Sequence, residues 1–481
     1  MNKELISTKS IFIIFFIALA FVYPNLYYPV INPLVSWSLP RIILLLLSFI
    51  LTILALKSIK IKGFLLFFVV INIFLVSIQF FNPLEDELIY TILGVDDRLD
   101  GIAYQFLFIV FIIFANYCIR ILNNKTKSFL YFSLISAGVI QSIVLVHQYT
   151  WVPLDLIFRK IYFRFDSPMG LTGHAGYTAG LLVPLIIIGI FTTQSKNRII
   201  SILSYVFTAI ICFGLNLTQN RSSLIALSIV LIFWIFISLK NIKKISFMVL
   251  CVILINFSEN ILPKNPTSSR DLSNPQTLTT RLEIWKFSTE LLPQSWGFPF
   301  WGGGTGNLKL QITDQLPIEK LMLFYEKEYG WQSSKNIKKI TPLNEKDAPK
   351  RQRMYLVKYN DGELKPVRLT LDRAHNFFLD KAFSIGLIGA VVWMIFYIYP
   401  IVAYFRLKPY QKTFEQQALS MALIAIQIYY IFWFSVMQVE PIHVVVALMA
   451  WVGIERAKAM PDPITQGLSS NISPTPQSLE T

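Results

Sequence analysis

The chain has 481 residues, of which 54% are hydrophobic and only 15% charged, and its mean hydropathy is +0.55. So few charges cannot cover a soluble surface, which excludes an ordinary soluble multidomain protein, a disordered chain, a collagen-like repeat and a disulfide scaffold, and points to a chain solvated by lipid. The formal charge of +15 would suggest nucleic acid in a soluble protein, but here its placement along the chain carries the information, and no nucleic-acid partner is expected.

A helix needs about 20 mostly apolar residues to cross the hydrocarbon core of a bilayer. Twelve such stretches stand near 10–29, 40–56, 63–82, 103–122, 129–149, 174–193, 199–216, 222–239, 245–262, 376–404, 414–437 and 439–456. A bilayer interior forces backbone groups to pair within the segment, so these stretches are expected as helices. Ala18 and Ala20 form a pair resembling a signal-peptide cleavage site, but the apolar stretch continues through Phe21, Val22 and Tyr23. Cys118, Cys212 and Cys251 all lie inside apolar runs without a paired neighbour, which gives neither a zinc site nor a disulfide framework.

The short loops alternate in charge. Lys57, Lys60 and Lys62 follow the second stretch, Arg120, Lys125 and Lys127 the fourth, and Lys196 and Arg198 the sixth. Lys240, Lys243 and Lys244 follow the eighth, Arg406, Lys408 and Lys412 the tenth, and Arg456 and Lys458 the twelfth. The excess of Lys and Arg places these loops, and both termini, in the cytoplasm. The acids after the third stretch, among them Asp96, Asp97 and Asp100, then read as solvated residues of an outside loop.

One long polar segment, 263–374, interrupts the pattern and falls outside. Thr280 to Leu292 and Leu316 to Tyr329 have helical patterning. Tyr355 to Leu371 reads as a hairpin around Asp361-Gly362, a favoured tight-turn pair. Gly302, Gly303, Gly304 and Gly306 follow no strand, so they are read as turn chemistry rather than a phosphate cradle. The expected organisation is therefore nine spans in 1–262, a folded loop in 263–374, three spans in 375–457 and a polar cytoplasmic tail in 458–481. The fold class is an all-α polytopic membrane protein of about twelve transmembrane helices, with its one large folded loop between spans nine and ten. No repeat of discontinuous helices is visible.

Ionisable residues at membrane depth or at its edge are the first places to look for function. Four lie on the outer side: Arg164 in Phe163-Arg164-Phe165-Asp166, Arg221 in a very short turn, Arg281 in the loop's first helix, and His375 at the head of span ten. Guanidinium groups grip phosphate oxygens in a two-pronged geometry and stay charged. Histidine takes and releases protons near neutrality. Together they suit attack by a hydroxyl on a sugar carried by a lipid diphosphate, with His375 as base and the arginines on the leaving group. Each residue also has a plainer reading. An interfacial arginine snorkels to lipid headgroups, a loop arginine is solvated, and a histidine at a helix start is a structural donor. His147 and His443, inside apolar stretches, read as packed residues, and His174 in Gly170-Leu171-Thr172-Gly173-His174 is open between the two. Acids in a ligand-like context are lacking at the outer span ends, so no metal is expected.

The run His375-Asn376, followed after nine residues by Gly386-Leu387-Ile388-Gly389, resembles the histidine motif that ends the large periplasmic loop in the O-antigen ligase and polymerase superfamily. The layout is similar too, with about twelve spans, one large outside loop before the motif, and an arginine in a short turn upstream. Arg281-Leu282-Glu283-Ile284-Trp285 resembles that superfamily's loop arginine followed by tryptophan. Gly170 to Tyr177 resembles its glycine-rich approach to a span, although His174-Ala175-Gly176 departs from the usual Gly-x-Pro-Asn pattern. The likeness covers roughly residues 160–440.

The resemblance implies an inverting glycosyltransferase of a bacterial inner membrane, needing neither metal nor other cofactor. Its donor would be a glycan on undecaprenyl diphosphate, its acceptor lipid A-core or another glycan, and its surroundings membrane lipid. It maps His375 to the base, and Arg221, Arg281, Arg164, Asn376 and Trp285 to substrate binding. A polymerase and a protein O-oligosaccharyltransferase of the same superfamily would use the same chemistry. A transporter, like the members of this superfamily linked to inorganic carbon uptake, is the alternative of a different class, expected to carry acids deep within broken spans.

Overall fold

The computed structural model describes residues 2–26, 38–82, 88–94, 99–150, 168–237, 242–257, 276–304, 337–343, 354–368, 373–434 and 436–460. The chain is predominantly helical. Helices α1 (Asn2–Val22), α2 (Leu39–Ala55), α3 (Gly63–Ser77), α5 (Ile102–Ile121) and α6 (Asn124–Thr150) lie on the first five apolar stretches, with the short α4 (Leu88–Leu93) among them. Next come α7 (Ala175–Thr192), α8 (Arg198–Leu217), α9 (Arg221–Ile237), α10 (Ile242–Phe257) and the loop helix α11 (Gln276–Leu291). The last three are α12 (Phe377–Arg406), α13 (Phe414–Phe432) and α14 (Glu440–Lys458). Seven of the described helices are long and apolar enough to cross a membrane: those covering 39–58, 63–81, 102–121, 124–149, 175–192, 198–217 and 377–406. The fold is thus that of a helical membrane protein. The hairpin around Asp361-Gly362 is present as β2 (Met354–Tyr359) and β3 (Leu364–Arg368), and a third strand, β1 (Ile337–Leu343), extends it to an antiparallel sheet in the order β1-β2-β3. Leu316 to Tyr329 and the tail from Pro461 lie outside the described residues.

Helix ends follow their caps. Asn197 accepts from the N–H groups of Ile199 and Ile200 and starts α8, while Thr413 and Gln416 form a reciprocal capping box on α13. At the centre stands α7, almost wholly enclosed and packed against α6, α8, α9, α13 and α14. Small residues let its neighbours approach. A Cβ at Gly176 would lie 2.4 Å from the Trp433 ring, and one at Gly180 2.3 Å from Tyr429. A membrane interior offers little hydrophobic drive between helices, so such close backbone approach is what holds the contact. His443, fully buried on α14, bonds the Tyr430 hydroxyl at 2.7 Å and the Gly180 carbonyl at 2.9 Å, a packed histidine as expected.

The two ends of the bundle differ. At the end where α5 stops and α6 and α13 begin, Arg120 pairs with Glu455 at 2.6 Å and Lys127 with Glu415 at 2.8 Å. Arg120 and Lys127 belong to the basic loop after the fourth stretch, and Arg456, which follows the twelfth, donates to the Arg120 carbonyl at 2.9 Å, so these two basic loops meet. The opposite end holds the start of α7, the start of α12, the end of α13 and the start of α14.

Here α12 departs from expectation. It is broken at Ile385 (φ −131°, ψ 18°) and Gly386 (φ 77°, ψ 169°), so Phe377–Ser384 forms a separate half-helix. Gly386 tolerates the left-handed φ, and a Cβ there would lie 2.5 Å from the Phe300 backbone. The segment 299–304 fits into the break. Gly303 and Gly304 donate N–H bonds to the carbonyls of Phe383 and Ser384, at 2.8 and 2.9 Å, and Leu387 donates to Pro299 at 2.8 Å. Gln79 donates to the Trp301 carbonyl at 2.6 Å and Asn82 to that of Gly303. Gly302, Gly303 and Gly304, read as a simple turn (Gly306 lies outside the described residues), therefore form a backbone splice. It supplies the partners that an opened helix loses, which is the condition for irregular backbone inside a membrane.

Candidate functional site

His375 precedes the half-helix in a left-handed conformation (φ 50°) that a side chain with a Cβ rarely adopts. Four neighbours fix it there. Arg373 forms an ion pair with Asp100. The Ala374 N–H donates to Asp380 Oδ1 at 2.7 Å. Asn376 Oδ1 accepts from Phe378 and Leu379 at 3.0 and 3.1 Å, capping α12, and its amide donates to the Ile431 carbonyl at 3.0 Å. Trp285 Nε1 donates to the His375 carbonyl at 3.4 Å. Asn376 and Trp285, mapped to substrate binding by resemblance, are thus found as backbone supports of His375.

Arg281 and Trp285 lie one helical turn apart on α11, so they share a face. Arg281 Cζ stands 5.0 Å from the Trp433 ring centroid, a cation–π distance, and Trp285 meets Phe432 at 5.9 Å. The His375 ring meets Trp433 edge-on at 5.4 Å and Phe434 at 5.2 Å. His174 reaches the same plate from the start of α7, 5.4 Å from Trp433 and 4.8 Å from Tyr177. It is the N-cap of α7. Its Nδ1 accepts from Gly176 N–H at 3.0 Å, so a neutral ring carries its proton on Nε2 and acts there as a donor.

The site therefore gathers His375, Arg281, Trp285, Asn376 and His174 around Phe432-Trp433-Phe434. Arg221 is the first residue of α9, which Asn220 caps by accepting from Ser223 N–H at 3.0 Å. α7 leaves this end of the bundle, α8 packs along α7 and returns, and α9 begins after a short turn, so Arg221 sits at this same end. Arg164 lies outside the described residues.

A second layer of charge stands behind His375. Lys381 Nζ pairs with Glu440 at 3.0 Å and lies over the Trp393 ring at 4.5 Å. Tyr104 donates to Glu440 at 3.4 Å. Asp100, Tyr104, Arg373, Asp380, Lys381 and Glu440 line a cavity of about 30 Å³, room for roughly two waters. Asp100, read from sequence as a solvated acid, is 6% exposed and paired. The reason is the turn made by α4. Gly94 and Gly101 come so close that a Cβ on Gly94 would lie 2.3 Å from the Gly101 nitrogen, and this draws Asp100 inward. Arg41, fully buried in α2, donates to the Pro24 carbonyl at 3.0 Å, and Gln141 ties that carbonyl to the Leu171 N–H, so the approach to α7 is also held by polar groups.

Sequence reading missed Trp433, Asp380, Lys381 and Glu440. Three of these carried a usable signal, since Asp380 and Lys381 lie within the tenth apolar stretch and Glu440 within the twelfth, where ionisable residues are rare. Among the described residues, no three His, Cys, Asp or Glu side chains group as metal ligands. Compared with protein-family models and with curated proteins, the chain has no match.

Proposed function

We propose that the chain crosses a bacterial inner membrane twelve times with both termini cytoplasmic, and that it is an inverting glycosyltransferase of the O-antigen ligase type. The donor is a glycan on undecaprenyl diphosphate and the acceptor hydroxyl belongs to lipid A-core. The chemistry takes place at the periplasmic face, under the folded loop between spans nine and ten. The observation that carries this reading is the convergence of a histidine and an arginine from separate segments, His375 and Arg281, on the Trp433 ring at one end of the bundle.

In this mechanism His375 takes the proton of the acceptor hydroxyl as its oxygen attacks the anomeric carbon. The bond from that carbon to the diphosphate oxygen breaks on the opposite side, so the configuration inverts. Arg281 and Arg221 neutralise the charge that the departing undecaprenyl diphosphate acquires. Trp285 and Asn376 hold the His375 backbone, which fixes the ring before the substrate arrives.

The test is transfer by purified protein in lipid nanodiscs, with lipid-diphosphate-linked glycan and lipid A-core, with and without chelator. His375→Ala is expected to lower transfer by about 10²- to 10⁴-fold with chelator inert. Full activity in that variant removes His375 as base. Transfer only to lipid-linked glycan, or only to a protein hydroxyl, reassigns the acceptor to the polymerase or oligosaccharyltransferase type.

A transporter is the second reading, favoured by the broken α12 and the buried Lys381–Glu440 pair. Uptake of labelled bicarbonate into proteoliposomes, together with absence of transfer to every acceptor, selects it.

A further inference from the structure

We propose that Trp433 is the positioning residue of this site, setting the mutual placement of Arg281, His375 and His174, and that Gly176 is the seat that makes its position possible. The inference rests on the glycosyl-transfer reading for its kinetic consequence and on geometry alone for the rest.

Trp433 is the residue at which α13 stops. Its backbone is extended (φ −146°, ψ 167°), so the chain leaves the helix and the indole falls across the first turn of α7. Only 6% of the residue is exposed. One ring thereby serves three elements: Arg281 of α11 at 5.0 Å, His375 before α12 at 5.4 Å, and His174 at the start of α7 at 5.4 Å. Phe434 backs it in a stacked contact at 5.5 Å and 11°. The three groups come from segments far apart in the chain, and this ring is a support they share. An aromatic face attracts a guanidinium without neutralising it, so the contact orients Arg281 and leaves its formal charge intact.

The seat is as specific as the plate. A Cβ on residue 176 would lie 2.4 Å from Cζ2, 2.8 Å from Cε2 and 2.9 Å from Cη2 of the indole. Two of these atoms belong to the outer edge of the six-membered ring. The ring cannot yield easily, because Phe434 and His375 stand against it. Gly176 is further tied to α13 through its carbonyl, which accepts from the Tyr429 hydroxyl at 3.0 Å. The glycine that departs from the Gly-x-Pro-Asn pattern thus has a reason: it gives the tryptophan room.

The experiment is a double-mutant cycle on the full-length protein in nanodiscs, with Trp433→Phe, Trp433→Leu, Gly176→Ala and Gly176→Ala/Trp433→Phe. Two readouts are taken: the kcat and KM of transfer, and the rate at which diethyl pyrocarbonate labels each histidine, followed by mass spectrometry. His443, which is fully buried, is the internal standard. Loss of the plate displaces His375 relative to Arg281, and a misplacement of about 1 Å is enough for a loss near 10²-fold. Trp433→Leu and Gly176→Ala are therefore each expected to lower kcat by about that factor with the donor KM little changed. Each is also expected to speed labelling of His375 but not of His443. A phenyl ring is shorter than an indole and does not reach a Cβ introduced at position 176, so the double variant is expected to match Trp433→Phe alone in both readouts.

Additive losses in the double variant, or His375 labelling unchanged in both Trp433→Leu and Gly176→Ala, would overturn the proposal. If wild type transfers no glycan while the labelling cycle still shows coupling, the glycosyl-transfer reading fails and the positioning role of Trp433 stands. Thermal unfolding of each variant identifies any that is misfolded, and Trp433→Phe, whose shorter ring spans the three groups less well, then decides alone: faster labelling of His375 with His443 unchanged is expected, and unchanged His375 labelling overturns the proposal.

Discussion

Arg120 and Glu455 pair at 2.6 Å with side chains 40% and 46% exposed, whereas Lys381 and Glu440 pair at 3.0 Å with side chains 9% and 3% exposed. The two pairs stand at opposite ends of one bundle, and α5 and α14 run between them. At the first end, the Arg120–Glu455 pair is solvated and is one among several arrangements that water allows. At the second end, charge is enclosed and braced by neighbouring backbone and rings. Taking ions out of water is costly, and well-packed apolar side chains are often no less stable in such places. Charges kept there need another reason. The buried end is also where α12 is broken, where His375 holds a left-handed backbone, and where Arg281 lies on Trp433. The difference teaches that buried polar cost in this molecule is concentrated at the end that holds His375, while at the opposite end Arg120 and Glu455 meet within reach of water.

The sharpest way to break this comparison is to remove one member of the buried pair. Lys381→Met leaves Glu440 enclosed without its cation and is expected to cost about 3–5 kcal/mol of stability. Thermal unfolding in detergent reads it, and Lys381→Met/Glu440→Gln should recover most of the loss. A single-variant cost below about 1 kcal/mol would mean that the buried end is no more demanding than the exposed one. Next comes Gly386→Ala. It places a Cβ 2.5 Å from the Phe300 backbone at a positive φ, and a loss of about 1–3 kcal/mol is expected, with limited proteolysis showing the segment 299–304 released from α12. Asn376→Ala removes the α12 cap and the bond to Ile431, for about 1 kcal/mol, and under the proposed glycosyl transfer it is expected to lower the rate more than that loss would suggest, because His375 is its neighbour. The smallest effect belongs to the exposed end. Arg120→Ala is expected to change stability by less than about 1 kcal/mol, and that change should fade in high salt, whereas the Lys381→Met effect should not.

Much of the fold was legible in residue order. Apolar length located the helices, because a helix in lipid satisfies its own backbone and needs no distant partner to exist. Lys and Arg placement singled out the end that Arg120, Lys127 and Arg456 share. Asp361-Gly362 marked its hairpin, because a tight turn is a local event. His375 and Arg281 stood out as ionisable residues beside apolar stretches, Trp285 and Asn376 only through the resemblance to a known superfamily, and the fold brings the four together, with Asn376 and Trp285 bracing the backbone around His375.

What only the tertiary structure decided is the set of contacts between residues far apart in the chain. Asp100 and Arg373 are separated by 273 positions, and Gln79 and Trp301 by 222. The close approach of Gly94 and Gly101 turns Asp100 inward, but the cation that pairs with it there, Arg373, stands just before α12 and is not legible from the residues around Asp100. Nothing near Gly302 signals that it fills a break in another helix. Trp433 carried no pattern beyond an aromatic triplet, and its part follows from the missing side chain at Gly176, 257 residues earlier by position in the chain. Local propensity and hydrophobic length act within a turn or a span, so a sequence states them outright. A splice, a buried ion pair and a shared ring exist only once separate segments have packed, because each is stabilised by a partner that the neighbouring residues do not contain.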